Sequence, residues 1–275
     1  MSDAQSSPSN FLDFSGKTAL VTGVLDQHSQ AWSIAKYLHD AGARVALSIQ
    51  RKAMRRLMGD IPKLLGDPLI VECEVGKDEE IHKALTEVGQ AFGHIDILIH
   101  SIGYAPPRSF EHRFVEITRE DFALAMDVSA YSLIALARGA LPFMRERGGS
   151  ILALTYLAGE RVIPGYQLMS ITKAALDNVI KNLAYDLGQQ RIRVNGLSPG
   201  PNPSRAATSI PGFSLMQEHV KEFSPLQCEI MNDDVGKAAL FLCSPLAEKI
   251  TGEIIHIDGG YNIMGMTLQR PEGRE

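Results

Sequence analysis

Short apolar runs alternate with longer amphipathic stretches along most of the chain. The runs are "TALVTG" (18–23), "RVALSI" (44–49), "LIVECEV" (69–75), "IDILIHS" (95–101), "SILALTY" (150–156), "RVNGLSP" (193–199) and "EIIHID" (253–258). Most are rich in β-branched residues and bounded by turn formers, as expected of strands buried on both faces. Between them lie helix-length segments such as "AWSIAKYLHDAG", "DEEIHKALTEVGQAFG" and "EDFALAMDVSAYSLIALARGALPFM". Strands and helices in this order predict βαβ units around one parallel sheet of about seven strands, with helices on both faces. The expected fold is α/β, doubly wound, in a single domain.

One stretch interrupts the rhythm. Residues 200–232, "GPNPSRAATSIPGFSLMQEHVKEFSPLQCEIMN", have three prolines in their first half and an amphipathic middle, and they follow directly on a strand. In an open α/β sheet the carboxyl ends of the strands border the ligand crevice, so a helical insertion there is placed to cover a substrate. The rest divides into a polar, mobile arm (1–12), one domain (13–266) and a short tail (267–275).

Composition narrows the function. A net charge of −5 and a pI near 5.9 argue against a phosphate backbone, and so a nucleic acid, as the main partner. The local basic cluster "RKAMRR" (51–56) reads as either a solvated helix face or an anion site. Cys73, Cys228 and Cys243 lie far apart and form no CxxC pair, so no disulfide framework or zinc site is expected, and a reducing cytoplasm fits. No histidine pair has metal-ligand spacing with nearby carboxylates, so no metal is expected. Neither a signal peptide nor a bilayer-spanning stretch is read from the sequence.

The first strand leads into "TGVLDQHSQAWSIA" (22–35). A glycine between strand and helix lets the backbone approach a pyrophosphate, whose charge the helix start favours. The usual glycine-rich fingerprint is missing, since Gly23 is followed by no glycine until Gly42. Ser29 offers a hydroxyl where that fingerprint puts glycine. At the end of the second strand, where Asp or Glu often holds a ribose, stand Gln50, Arg51 and Lys52, which leaves both NADH and NADPH open.

The stretch "TYLAGERVIPGYQLMSITK" (155–173) carries two tyrosines and a lysine. On an α-helix the step from Tyr166 to Lys173 turns roughly 340° and climbs about 10 Å, which places both on one face. Cooperation and ordinary packing are both compatible with that spacing.

Taken in order, these stretches carry a family resemblance. "GKTALVTG", "CEV" (73–75), "HSIGYAP" (100–106), "LTYLAGERVIPGYQLMSITKAAL" (154–176), "RVNGLSPGP" (193–201), "AALFLCS" (238–244) and "TGEIIHIDGGYNIMGM" (251–266) resemble the short-chain dehydrogenase/reductases. Within them, the match is to the divergent branch of FabI-type enoyl-acyl-carrier-protein reductases. Tyr166-x6-Lys173 replaces the ordinary Tyr-x3-Lys, and Tyr156 stands ten residues before Tyr166, as in that branch.

The resemblance implies a Rossmann fold, an NADH or NADPH cofactor, and an enoyl thioester substrate on acyl carrier protein, within fatty acid biosynthesis. It implies that Tyr166 donates to the thioester oxygen, that Lys173 grips the nicotinamide ribose, and that Tyr156 forms a second wall. Gly23, Ser29 and Gln30 would meet the pyrophosphate, Gln50 the adenosine ribose, Glu74 and Val75 the adenine, and Ser101, Ile102 and Gly103 the inner ribose and phosphate. Ser204 would serve the nicotinamide amide. Tyr104, Ala105, Met169, Ala206 and Phe213 would line the acyl channel, with Ala207 and Ile210 as further candidates. Gln30 stands where the branch usually has Ile, and "PGPNPSRAA" (199–207) where it reads close to "AGPIRTLAA", which bears on substrate scope. The final strand and "GGYNIMGM" resemble a subunit-contact region, implying a homotetramer. A ketoreductase and a non-catalytic nucleotide-binding homologue are the alternatives.

Overall fold

The computed structural model describes residues 11–51, 58–203 and 212–268. Most of the arm, the end of the tail, the basic cluster beyond Arg51, and Ser204, Arg205, Ala206, Ala207 and Ile210 lie outside the described residues. All seven expected strands form: β1 (Thr18–Thr22), β2 (Arg44–Ile49), β3 (Leu69–Glu72), β4 (Ile97–His100), β5 (Gly149–Leu154), β6 (Ile192–Pro199) and β7 (Ile254–Ile257). They make one sheet in the order β3-β2-β1-β4-β5-β6-β7, with every neighbouring pair parallel. The chain reverses its direction of travel between β1 and β4, so the crevice beyond their carboxyl ends is the expected ligand site.

Alternation along each strand divides the core in two. Leu20, Leu98, Ile151 and Val194 face α3 (Asp78–Phe92), α6 (Ser132–Met144) and α7 (Leu168–Leu187) on one side of the sheet, with α3, α6 and α7 numbered in chain order after α1 (Gln30–Asp40), the short α2 (Ile61–Leu64) and α4 (Arg108–Glu111), and α5 (Arg119–Met126). Val21, Leu47, Ile99 and Leu197 face α1 and the helix Asn232–Cys243 on the other. Each such side chain contributes about 1.5–3 kcal/mol by leaving water, so a one-residue slip in register would expose both faces at once.

α5 and α6 are joined through a π-helical turn, Asp127–Tyr131, into one continuous helical segment. By length and composition this segment, Arg119–Met144, is long and apolar enough to cross a bilayer, contrary to the sequence reading. Half of its most apolar window is buried inside the fold, against α3 and α7, which accounts for its hydropathy as core packing.

Candidate active site

Gly23, just past β1, adopts φ +81°, and a Cβ there would sit 1.9 Å from the carbonyl oxygen of Ser101 past β4. Only glycine lets the two strand exits meet, and their meeting forms the floor of the crevice. The Ser29 hydroxyl donates to Asp26 O at 2.8 Å and accepts from the N–H of Trp32 at 3.2 Å, capping α1. That hydroxyl is therefore engaged inside the turn, and the start of α1 behind it provides the anion-favouring backbone donors.

Tyr166 does not lie on the helix that carries Lys173. It closes a turn on Ile163, and α7 starts only at Leu168, after Gln167 at φ +47°. The expected shared helical face is thus replaced by a strained reversal that delivers the phenol to the crevice from α7's amino end. Tyr156, beyond β5, meets it with ring centroids 4.9 Å apart and planes tilted by 54°. Both rings pack on a small apolar cluster of Ala105, Ala125, Ala158, Leu168 and Met169. Lys173 is 7% exposed, and its Nζ donates to the Leu154 carbonyl at the end of β5, 2.8 Å away.

Burial sets the electrostatics. It pushes the Lys173 ammonium down to about 8, with Asp177 pulling the other way. It pushes the phenols of Tyr156 and Tyr166 above the usual tyrosine range, so both remain hydrogen-bond donors. Asp177 is itself raised by burial, opposed by the hydroxyl of Thr155, which donates to it. Thr155 therefore has a structural hydrogen bond beneath the site. His100 is held neutral, near 3, by burial and then by Lys173. Since the Ser132 hydroxyl donates to Val128 O, His100 Nε2 must be the donor in its 2.8 Å contact with Ser132.

A cleft of about 1080 Å³ runs across these elements. Every described residue expected in the site lines it: Gly23, Ser29, Gln30, Gln50, Glu74, Val75, Ser101, Ile102 and Gly103 toward the β1–β4 switch, and Tyr104, Ala105, Tyr156, Tyr166, Met169, Lys173 and Phe213 toward the far side. Phe213 opens the helix Phe213–Phe223, so part of the insertion does border the cleft. Gly103 leaves open the space a side chain would fill, 3.7 Å from Lys173 Nζ. A glycine-floored crevice ending at a buried ammonium fits an extended dinucleotide. Among the described residues no group of three or more His, Cys, Asp or Glu is placed to hold a metal ion.

Sequence reasoning missed several contributors. The Ser129 hydroxyl both accepts from Tyr104 N–H and donates to Tyr104 O, each at 3.0 Å, and so fixes the loop after β4. Phe110, Leu124, Val128 and Met216 add apolar wall. The only sequence signal for them is their apolar character, which core residues share.

The family model described as "Enoyl-(Acyl carrier protein) reductase" matches residues 23–262. The chain belongs to the enoyl-acyl-carrier-protein reductase family. This reductase is 43% identical over 251 residues to the FabI enoyl-acyl-carrier-protein reductase (NADH) of Aquifex aeolicus, covering 91% of this chain and 93% of that protein. It is 41% identical to the corresponding protein of Synechocystis, covering 93% and 100%. The crystal structure of the Bacillus cereus reductase with NADP+ and indole naphthyridinone superposes with a TM-score of 0.90 at 39% identity, covering 92% of this chain and 99% of that one. The Anaplasma phagocytophilum reductase in complex with NAD gives 0.89 at 36%, covering 94% and 98%.

Proposed function

We propose that this reductase reduces the C2–C3 double bond of a trans-2-enoyl thioester on acyl carrier protein, with NADH as reductant, in fatty acid biosynthesis. The observation that carries this is the convergence of Tyr166 and the buried Lys173 on a glycine-floored cleft, in a chain of this family. When bound, the nicotinamide supplies a hydride to C3 of the enoyl group. Gly23, Ser29 and, through its backbone N–H, Gln30 would hold the pyrophosphate, and Ser101, Ile102 and Gly103 the inner ribose. Val75 would contact the adenine, with Glu74 beside it. Ser204 is the proposed partner of the nicotinamide amide.

As charge develops on the thioester oxygen, a donor aimed at that oxygen lowers the barrier more than one that binds the ground state equally. Tyr166 is assigned that donor: its burial keeps the proton on the phenol. Lys173, cationic below about pH 8, favours the same negative charge and is assigned to the nicotinamide ribose. Tyr156 walls the other side of the substrate. Tyr104, Ala105, Met169 and Phe213, with Ala206, are assigned to the acyl chain.

NADH is favoured over NADPH by Glu74, whose carboxylate accepts from Gln50 at 2.6 Å just past β2 and would repel a 2′-phosphate. Arg51 also lines the cleft and carries the opposite charge, so titrating NADH against NADPH is the direct discriminator. The activity itself is tested by assaying crotonyl and acetoacetyl thioesters side by side. Alkene reduction is expected; carbonyl reduction alone would overturn the proposal.

Assembly as a homotetramer is supported by β7, an edge strand whose residues are only half-buried, and by the exposed Ile263, Met266 and Leu268 that follow it. Sedimentation at micromolar concentration tests it. The cytoplasm as compartment is supported by three unpaired thiols.

A further inference from the structure

Asn202 is 2% exposed, and its side-chain amide is engaged on both ends. Its Oδ1 accepts from Gln30 Nε2, and its Nδ2 donates to Asn232 Oδ1 at 2.7 Å. Asn232 Nδ2 in turn donates to the carbonyl of His28 at 2.9 Å. The circuit therefore leaves the β1 turn at Gln30, passes through the β6 exit and the first residue of the helix Asn232–Cys243, and returns to the same turn two residues before Gln30. Gln30 and Asn202 both line the cleft.

Asn202 is a stiff handle, because Pro201 and Pro203 flank it and fix their own φ angles. Asn202 is buried between two half-exposed amides, so the loss of either partner leaves its own amide with the desolvation penalty and loosens the circuit on both sides. It also spans the site. Gln30 belongs to the turn assigned to the diphosphate, and Asn202 stands two residues before Ser204, the proposed partner of the nicotinamide amide.

We propose that Gln30 and Asn202 are positioning residues forming a clasp that sets the diphosphate turn and the β6 exit as one preorganised unit, so that a change at either end alters binding at the other. The clasp rests on the dinucleotide reading given above. Its energetic basis is preorganisation: a loosened exit must be ordered by the incoming ligand, which weakens binding without removing a ligand contact.

ADP-ribose, which lacks the nicotinamide, separates the two ends. Calorimetric titration with NADH and with ADP-ribose compares the intact chain with Gln30→Ala, Asn202→Ala, the double alanine variant and the apolar pair Gln30→Ile/Asn202→Ile. Asn202→Ala is expected to weaken ADP-ribose and NADH alike, each about tenfold or more, the size of the two hydrogen bonds it removes. The double alanine variant should be little worse than either single, since coupled residues are not additive. The apolar pair should regain most of the affinity, because both ends of the Gln30–Asn202 bond are replaced together and the freed Oδ1 of half-exposed Asn232 can take its donor from water. Undiminished ADP-ribose affinity in Asn202→Ala, or single effects that multiply in the double variant, would overturn the clasp alone. If the intact chain bound neither probe, the dinucleotide reading would fall with it. Where a single variant does not fold, the apolar pair decides: affinity near that of the intact chain supports the clasp, and affinity at least tenfold weaker overturns it.

Discussion

The two ends of the sheet each bury a charge, and they treat it in opposite ways. At the amino end Asp96, just before β4, accepts from the Thr18 backbone N–H at 2.9 Å and the Thr18 hydroxyl at 3.2 Å. Lys17, His94 and Arg147 surround the same carboxylate at 3.0 to 3.3 Å. At the carboxyl end Lys173 is as deeply buried, yet among the described residues the acceptor its ammonium reaches is the carbonyl of Leu154. A charge saturated by partners is fixed in place. One left with donors to spare in an open cleft is available to a ligand, and burial has already moved it toward neutrality.

Four measurements distinguish the two buried groups. The largest expected effect is that of Tyr166→Phe, which removes the assigned oxyanion donor and should lower kcat about 100-fold or more while leaving the Kd for NADH nearly unchanged. Unaltered enoyl turnover would remove Tyr166 from the mechanism. Next, Asp96→Asn removes the charged acceptor shared by the Thr18 N–H, Lys17 and Arg147 and should destabilise the fold by about 2 kcal/mol, read as a drop in the denaturant midpoint. The specific activity of the folded fraction should stay the same, and loss of activity without loss of stability would contradict the structural role.

The third effect concerns pH. Lys173 is lowered from 10.5 to about 8, so its charge disappears as pH rises through about 8. If the cation is required, kcat/KM falls about tenfold per pH unit above that point. Stability runs the other way: the buried cation destabilises the fold below about pH 8, and that burden lifts between 8 and 10.5. A flat alkaline profile would exclude the charge from catalysis. The smallest effect is that of Thr155→Val, which strips Asp177 of its hydrogen bond. It should cost about 1 kcal/mol of stability and let Asp177 rise further.

Much of the fold was legible because strand burial leaves a local imprint: each of the seven apolar runs became a strand, within a few residues of its expected bounds. The crevice residues were legible through order and resemblance, and those described do share one cleft. What escaped was geometry without a local signature. Gln167 at φ +47° looks like any polar residue, so nothing in the spacing shows that Tyr166 stands two residues ahead of the helix that carries Lys173. Ser29 suggested a ligand hydroxyl, although its cap role is equally encoded by a serine ahead of a helix. The Asn202–Asn232 contact joins residues 30 apart, and Asn232 reaches His28 across 204, distances over which no spacing rule operates.

The strand order carries a consequence for how the chain is made. β1 pairs with β2 on one side, but its other neighbour, β4, is 75 or more residues further along, and the Tyr166–Lys173 pair and Asn202 come later still. During synthesis the first three strands must wait with β1 unpaired on one edge, and no half-made chain presents a finished dinucleotide crevice. NADH should therefore protect the completed protein from unfolding or proteolysis while giving no help to a ribosome-bound fragment that stops before β6.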